Sequence, residues 1–299
     1  MPNDQSDSTL MRLSPLNVED HPLIPGTSLF WYQEQWYDRA DPDDRAAQFG
    51  DALFETMRTA HDGSLPLWHW HRVRLQEGFE RLKFPPSALS DVEMTLRQLN
   101  LGANRSGSVG LKLLVSRGSS RQGYGTSSCQ RVNIRWTVFS LPEWRIRQQP
   151  QGLVVGVNPI RVSRQPLLAG LKHANRLEQV LAREAFEPHW DESIVLDDQQ
   201  QVIEATMSNV IWLEQDKALT PPVDQAGVNG VVRRWLMEQG VLEEADCDIT
   251  RLTLADGVLL SNAIMGLVPV SQLEQTRYDR DNPRTCHFMT HQILLEAMF

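Results

Sequence analysis

The chain has 299 residues, of which 41% are hydrophobic and 22% are charged, the composition of a globular protein with a substantial core. Its 29 basic and 38 acidic residues give a formal net charge of −9. This balance argues against general binding to nucleic acid or to an anionic membrane, because both require a basic footprint.

The N-terminal segment, MPNDQSDSTLMRLSPLNVEDHPL, lacks the apolar stretch that a signal peptide needs, and no run approaches the ~20 apolar residues of a membrane span. The three cysteines, Cys129, Cys247 and Cys286, are far apart and match neither a disulfide framework nor a metal-ligand spacing. We therefore predict a cytoplasmic protein without a metal centre, whose residues 1–25 form a loose extension.

Strands and helices are both predicted in the first half. TSLFWYQEQW predicts a strand from Thr27 to Trp36, and FGDALFETMRTAHDGSLPLW predicts two strands joined through Asp62-Gly63. HRVRLQEGFERLKF carries apolar residues at helical spacing, and SALSDVEMTLRQL predicts a further helix capped by Ser90 or Asp91. VGLKLLVSRG and RVNIRWTVFS are predicted strands on either side of a glycine- and serine-rich loop.

The pattern breaks near residues 141–152, which suggests a linker between two domains. We predict a small N-terminal α+β domain over residues 26–144, a linker over 145–152 and a larger C-terminal α+β domain over 153–299. The second half predicts a strand in GLVVGVNPI, a helix in KHANRLEQVLAREAF, a meander of short strands, a helix in GVNGVVRRWLMEQG, and a strand–turn–strand before a closing helix. No alternating β–α rhythm demands a doubly wound sheet, so the fold class is α+β.

Lys172 and Glu204 are the first candidates for chemistry. Lys172 is one of only four lysines, and the sequence predicts it in the first turn of a helix, where the helix dipole lowers an amine pKa. A lysine can hold a carbonyl cofactor covalently, although an exposed surface lysine is the alternative. Glu204 is either a solvated carboxylate at a strand end or the acid that keeps a pyridine nitrogen protonated.

Three weaker signals fit a phosphate site, which needs backbone N–H groups and a guanidinium. QAGVNGVVRRW predicts a helix that begins near Val228-Asn229, and SNAIMG is a small-residue turn after a strand. Arg74 could supply the guanidinium, although an arginine on an amphipathic helix is more often at the surface. No Walker loop, zinc spacing, nucleophile elbow or dinucleotide fingerprint points to a competing chemistry.

Taken in order, several segments resemble the fold-type IV pyridoxal phosphate enzymes, and within them the aminodeoxychorismate lyase family. The matching segments are DRAAQFGDALFET, HRVRL, SRGSSRQGYG, LAGLKHANRLEQVLAR, DESIVLDDQQQVIEATMSNVIW, TPPVDQAGVNGVVRRW and SNAIMGLVPV. They lie between about residue 44 and residue 270. The lysine-containing run is the most specific, because related aminotransferases usually lack its His173 and Arg176.

The resemblance implies a two-domain fold that encloses pyridoxal 5'-phosphate, and a homodimer. By this resemblance Lys172 holds the cofactor covalently and Glu204 pairs with its pyridine nitrogen. The residues implied for the phosphate are Arg74, Val228, Asn229, Asn262 and Ala263.

For the substrate carboxylate, relatives often carry an arginine directly before the Gly-Tyr of the glycine-rich loop. Gln122 holds that place here, so either the preceding Arg121 makes this contact through a shifted loop or the contact is absent, and Arg121 is the substrate-binding candidate. The implied activity is a lyase reaction in folate biosynthesis that converts 4-amino-4-deoxychorismate to 4-aminobenzoate and pyruvate. The alternatives are an aminotransferase for D- or branched-chain amino acids, and a non-catalytic pyridoxal phosphate binder.

Overall fold

The computed structural model describes residues 16–18, 23–99, 101, 108–120, 123–141 and 152–299. Most of the predicted extension over residues 1–25, all of the predicted linker except Gly152, and Arg121 with Gln122 lie outside these described residues. The proposed domain division therefore stays a prediction. Within the described residues, no helix has the length and apolar character needed to cross a membrane.

The first half builds a five-stranded sheet in the order β2-β1-β5-β4-β3, in which every paired neighbour is antiparallel. Helices α2 and α3 cover one face of this sheet and close a core around buried residues such as Trp31, Leu75 and Trp136. The elements are β1 (Ser28–Tyr32), β2 (Gln35–Tyr37), α1 (Arg45–Phe49), β3 (Ala52–Arg58), α2 (Trp68–Arg81), α3 (Ala88–Gln98), β4 (Gly110–Ser116) and β5 (Asn133–Phe139).

Three predictions in this half are wrong in detail. The strand predicted over Thr27–Trp36 is a hairpin, because Gln33 and Glu34 both adopt positive φ (50° and 63°) and reverse the chain. The second strand predicted after Asp62-Gly63 does not form, because Ala60 donates to Ser64 O at 2.8 Å in a local turn that leads into α2. Helix α3 begins at Ala88, so Ser90 and Asp91 lie inside its first turn.

The second half builds a larger sheet in the order β11-β10-β9-β12-β13-β6-β7-β8, with β14 beside β13. The elements are β6 (Leu153–Val162), α4 (Leu177–Glu184), β7 (Glu192–Asp197), β8 (Val202–Ala205), β9 (Asn209–Glu214), β10 (Lys217–Thr220), α5 (Val231–Glu238), β11 (Glu243–Glu244), α6 (Ile249–Thr253), β12 (Gly257–Asn262), β13 (Gly266–Leu273), β14 (Thr276–Arg277), α7 (Pro283–Phe288) and α8 (Thr290–Glu296).

The second sheet is mixed, since β6 runs parallel to both β13 and β7. The predicted meander forms only as two separate hairpins, β7–β8 and β9–β10, because β9 pairs with β12 on its other side. Polar contacts between α2 and α5 join the two halves: Arg234 makes a bidentate ion pair with Glu77 at 2.6–2.7 Å, and Trp70 Nε1 donates to Glu238 at 2.8 Å. The observed architecture confirms the predicted α+β class.

Lys172 does not lie in a helix. Helix α4 begins only at Leu177, after the N-cap Arg176, and the preceding residues form an extended segment that touches both sheets. Gly170, at φ 79°, forms a parallel bridge with Val228, whereas His173 forms an antiparallel bridge with Leu53 of β3. Because these backbone groups bond to partners distant in sequence, the segment cannot close the local hydrogen bonds of a helix.

Candidate active site

A cavity of about 590 Å³ lies between the two halves and carries most of the predicted site residues on its wall. This volume falls within the roughly 300–1,000 Å³ range of cofactor and small-molecule sites. Lys172, Arg74, Glu204, Val228, Asn262 and Ala263 line it. The structure therefore brings together side chains that are up to 189 positions apart in the sequence, from Arg74 to Ala263.

The Lys172 amine is held against an aromatic ring of the first sheet. Its backbone carbonyl accepts the N–H of Phe54 at 2.9 Å, and its Nζ lies 4.3 Å from the centre of the Phe54 ring. Burial lowers the pKa of Lys172 to about 7, with a further contribution from the nearby Arg74 guanidinium. The expectation that a helix dipole lowers this pKa is wrong, since the residue lies outside any helix.

Glu204 lies on β8 at the wall of the cavity, and its Oε2 accepts the N–H of Val228 at 2.9 Å. Burial raises the pKa of Glu204, while Arg176 and this hydrogen bond favour the ionised form. This close approach of Glu204 to the Val228 backbone requires a glycine at position 227. Gly227 has φ 79°, and a Cβ added there would come within 2.9 Å of Ile203. The N–H of Val228, expected from sequence near a phosphate, is thus directed to Glu204.

Arg74 is held in place by a carboxylate that the sequence analysis did not single out. Glu55 on β3 receives two hydrogen bonds from the Arg74 guanidinium and lies 2.7 Å from Nδ1 of His71. Although burial acts in the opposite direction, Arg74 and His71 hold the pKa of Glu55 at about 2. The spacing of His71 and Arg74, one turn apart on α2, is the signal that could have pointed to a shared acidic partner.

The wall of the cavity has the groups that an anion requires. Within the described residues, the buried Oγ of Ser261 has no hydrogen-bond partner, and Ser261 lines the cavity together with Arg74. Gly230 and Val231, at the N-terminus of α5, line the same cavity, and a helix N-terminus favours negative charge. Sequence reasoning did not select Ser261 as a site residue, although Ser261 is the first residue of the SNAIMG segment predicted to form a turn.

Two predicted phosphate residues have other hydrogen-bond partners. The N–H of Asn229 donates to Gly170 O at 3.0 Å, and the carbonyl oxygen of Asn229 accepts from Arg74 Nη1 at 2.9 Å. Oδ1 of Asn262 accepts the N–H groups of Ile264 and Met265 at 2.9 Å. Asn262 therefore shapes the turn that brings Ala263 to the cavity, and Asn229 anchors the start of α5 to Arg74.

The remaining residues of the lysine motif orient the segment around the amine. Asn175 Nδ2 donates to Gly50 O at 3.1 Å, and Arg176 donates from Nε to His173 O at 2.8 Å and from Nη2 to Leu171 O at 2.9 Å. Arg176 lines the cavity, and burial lowers its pKa. Burial also lowers the pKa of His173, to about 4, so its imidazole is neutral.

Arg121, the candidate for the substrate carboxylate, lies outside the described residues. From Gly123 onward the loop is held by Arg45, whose Nη1 donates to the carbonyl of Gly123 at 2.7 Å and to that of Gly125 at 3.2 Å. Arg45 itself is buried and paired with Asp51 at 2.8 Å. The assignment of Arg121 therefore stays a prediction.

Comparison with known proteins identifies relatives along most of the chain. The family model described as amino-transferase class IV matches residues 52–273. An aminodeoxychorismate lyase from Vibrio harveyi is 33% identical over 261 residues, which cover 85% of this chain and 95% of the relative. The crystal structure of 4-amino-4-deoxychorismate lyase from Pseudomonas aeruginosa superimposes with a TM-score of 0.80 at 30% identity, covering 91% of this chain and 100% of that one.

A third protein, described as a hypothetical aminotransferase from Mycobacterium tuberculosis in its PLP-bound form, superimposes with a TM-score of 0.72 over 87% of this chain and 93% of that one. At 21% identity this likeness shows a shared fold.

Proposed function

The chain belongs to the class IV aminotransferase family, and on that premise we propose that it is a pyridoxal 5'-phosphate-dependent lyase. Its substrate is 4-amino-4-deoxychorismate, and its products are 4-aminobenzoate, a folate precursor, and pyruvate. The 33% identity to a lyase of this name over 85% of the chain supports the substrate. The single structural observation that carries the chemistry is the partly buried Lys172, with a pKa of about 7, on the same cavity wall as Glu204.

The cavity residues fit pyridoxal phosphate at both ends. Lys172 would hold the aldehyde carbon covalently, and Glu204 would face the pyridine nitrogen. Arg74, the Ser261 hydroxyl, the turn at Asn262-Ala263 and the N-terminus of α5 would hold the phosphate. When bound, pyridoxal phosphate supplies an electron sink for the charge that develops when a proton leaves the carbon bearing the substrate amine.

Lys172 acts as the base in this proposal. It takes the proton from the ring carbon that carries the amine, and its lowered pKa leaves a substantial fraction of the amine unprotonated near neutral pH. Loss of the neighbouring enolpyruvyl ether as pyruvate then makes the ring aromatic. Because aromatisation provides the driving force, the protein mainly has to bind, orient and deprotonate the substrate.

In this proposal Glu204 and Arg74 position the two ends of the bound cofactor. Glu204, with its own position fixed by the N–H of Val228, holds a proton on the ring nitrogen. Arg74 is oriented by Glu55 on one side and by the carbonyl of Asn229 on the other, so its guanidinium reaches the cavity in one geometry. In this proposal Val228 and Asn229 shape the phosphate end through their backbone groups.

A fold-type IV aminotransferase acting on D- or branched-chain amino acids is the second candidate, because the matching family model is described as amino-transferase class IV. The two activities differ in the fate of the substrate, since a transaminase expels no group.

In the proposed lyase reaction, Arg121 contacts a carboxylate of the substrate. We also propose a homodimer in the cytoplasm, which light scattering of the purified protein and cell fractionation would test.

The deciding experiment measures pyruvate release from 4-amino-4-deoxychorismate with a coupled lactate dehydrogenase assay. We expect turnover by the purified holoenzyme and no transfer of amino groups from D-alanine or L-leucine to 2-oxoglutarate at a comparable rate. Lys172→Ala is expected to abolish both pyruvate release and the absorbance of lysine-bound cofactor, whereas Lys217→Ala, at an exposed lysine on β10, keeps both. Normal turnover by Lys172→Ala would exclude the proposed role.

A further inference from the structure

Helix α8 contacts the back of the turn that the proposed function assigns to the phosphate. This turn joins Asn262, the last residue of β12, to Gly266, the first residue of β13, and residues 262–265 line the cavity. Oε1 of Gln292 on α8 accepts the N–H of Leu267 at 2.6 Å, and Nε2 of the same side chain donates to the carbonyl oxygen of Met265 at 3.5 Å. One side chain of α8 therefore bonds to the backbone on both sides of Gly266.

Gly266 leaves the space that this contact needs. Its φ of 66° lies in the left-handed region that favours glycine. A Cβ added at this position would collide with Oε1 of Gln292. The glycine therefore serves both the turn conformation and the close approach of the Gln292 amide.

On the cavity side, the same turn is held by Asn262. Oδ1 of Asn262 accepts the N–H groups of Ile264 and Met265 at 2.9 Å, and its Nδ2 donates to Oγ of Ser208 at 3.1 Å. Asn262 thus closes the turn from within, whereas Gln292 fixes the start of the strand that leaves it. Because the two side chains hold different backbone groups, loss of Gln292 should keep the internal bonds of the turn and change its position in the cavity wall.

Helix α8 is in turn tied to the first sheet by an ion pair. Nε2 of Gln292 donates to Oε1 of Glu296 at 3.0 Å, one helical turn later. Both carboxylate oxygens of Glu296 accept from Nη1 of Arg58 at 2.9 Å. Arg58 is the last residue of β3, and Thr56, on the same face of that strand, lines the cavity. A continuous series of polar contacts therefore runs from β3 through α8 to the turn.

We propose that Gln292 is a positioning residue for the phosphate site, and that the ion pair between Arg58 and Glu296 fixes its orientation. This inference rests on the proposed function and adds a support that lies behind the cavity wall. Gln292 acts through the turn and does not itself contact the phosphate. Groups that bind a ligand must be held within about 0.5 Å of their productive geometry, which requires support of this kind.

The test compares pyridoxal phosphate with pyridoxal, which lacks the phosphate, by titration of the apoprotein. Gln292→Met keeps a side chain of similar length but cannot accept the N–H of Leu267. We expect about tenfold weaker binding of pyridoxal phosphate, as for the loss of one hydrogen bond, and unchanged binding of pyridoxal. The double variant Gln292→Glu with Glu296→Gln keeps an acceptor for Leu267, and it should restore most of the affinity.

Ile293→Ala is the matched control, because it changes an exposed side chain next to Gln292 and removes none of these hydrogen bonds. Thermal unfolding followed by circular dichroism sets a titration temperature at which every variant is folded. Equal weakening of both ligands in Gln292→Met would show a general structural role and overturn the proposal. Unchanged binding of pyridoxal phosphate in this variant would overturn it as well.

Arg58→Met tests the connection to β3. It removes the charge that orients Glu296, so binding of pyridoxal phosphate should weaken by a smaller factor than in Gln292→Met. Combined with Gln292→Met, it should cause little further loss, because the two residues act on the turn through the same contacts. Fully additive losses would overturn the proposed role of the ion pair.

Cofactor binding does not depend on turnover. A wild-type protein that binds pyridoxal phosphate but releases no pyruvate from 4-amino-4-deoxychorismate would refute the proposed lyase function and keep this assignment. Wild-type turnover together with unchanged cofactor binding in Gln292→Met would refute this assignment and keep the lyase function. The two failures are therefore distinguishable.

Discussion

Phe54 and Lys172 are joined twice: the N–H of Phe54 donates to the carbonyl oxygen of Lys172 at 2.9 Å, and the lysine Nζ lies 4.3 Å from the phenyl ring. The first sheet therefore fixes both the backbone and the amine of a residue that belongs to the second half of the chain. Contact between the cation and the ring favours the protonated amine, but burial outweighs it, and the pKa falls to about 7.

The first prediction concerns the rate at which the apoprotein captures pyridoxal phosphate. Only the unprotonated amine of Lys172 attacks the aldehyde, so the rate should rise about tenfold per pH unit below 7 and level off above it. Stopped-flow absorbance between about pH 5.5 and pH 9 measures it. Arg176→Gln should move the midpoint upward, because Arg176 contributes to the low pKa. A rate that still rises steeply at pH 9 would show that Lys172 has the pKa of an ordinary lysine.

The second prediction tests the acid at the pyridine end. Glu204→Gln keeps the shape and the hydrogen bond from Val228 but cannot hold a proton on the ring nitrogen, so we expect kcat to fall by at least about 100-fold. Cofactor binding should weaken far less, since the phosphate contacts remain. Steady-state kinetics and cofactor titration separate the two effects, and Glu214→Gln, at a half-buried carboxylate on β9 paired with Arg251, serves as the control. Near-normal kcat in Glu204→Gln would contradict the assignment.

The third prediction concerns acid stability. The pKa of Glu55 falls from 4.5 to about 2 on folding, so the ion pair stabilises the protein above about pH 4.5, and this contribution is lost as the pH falls towards 2. The shift corresponds to about 3 kcal/mol. At pH 7, Glu55→Gln should lower the free energy of unfolding by about 3–5 kcal/mol, because Arg74 is left buried without its partner.

Urea unfolding of the apoprotein at pH 7 and near pH 3 provides the measurement for Glu55. The wild-type protein should lose more stability between the two values than Glu55→Gln does, and the two curves should converge in acid. If the free energies of unfolding of the two proteins differ by the same amount across this pH range, the charge of the Glu55 carboxylate does not contribute to stability. Glu187→Gln, at an exposed position, is the control for a general effect of removing a carboxylate.

The fourth prediction tests the phosphate end. Ser261→Ala should weaken binding of pyridoxal phosphate by about tenfold, because a charge-assisted hydrogen bond is lost. Binding of pyridoxal, which has no phosphate, should be unchanged. The apoprotein should become more stable by about 1 kcal/mol, since a buried hydroxyl without a partner is removed. Equal weakening for both ligands would place the Ser261 hydroxyl away from the phosphate.

Sequence patterns predicted the α+β class and most strands and helices because local periodicity specifies them. β5 and α2, for example, follow directly from alternation and from helical spacing. The position of Lys172 was mispredicted for a physical reason. LKHANR has helical propensity, but its backbone groups bond instead to Ala52 and Phe54, more than a hundred positions earlier. Tertiary hydrogen bonds of this kind have no local signature.

The residues of the candidate site also fall into those that the sequence could identify and those that it could not. Lys172, Glu204 and Arg74 were identified because a motif surrounds each of them. Glu55 and Ser261 were missed because their roles depend on contacts between separate elements: Glu55 matters only once β3 packs against α2, and Ser261 only once β12 lies beside the start of α5.

The extended segment around Lys172 determines what would happen if the gene were divided into two fragments. The N–H of Gly170 donates to Gly227 O and its carbonyl accepts from the N–H of Asn229, both in the second half, whereas Lys172 and Ala174 bond to β3 in the first. A protein split between β5 and β6 would carry the lysine on one fragment and Phe54, Glu55 and Arg74 on the other. Neither fragment alone would provide the lysine with its complete surroundings. Recovery of covalent cofactor capture on mixing the fragments would therefore report their complementation.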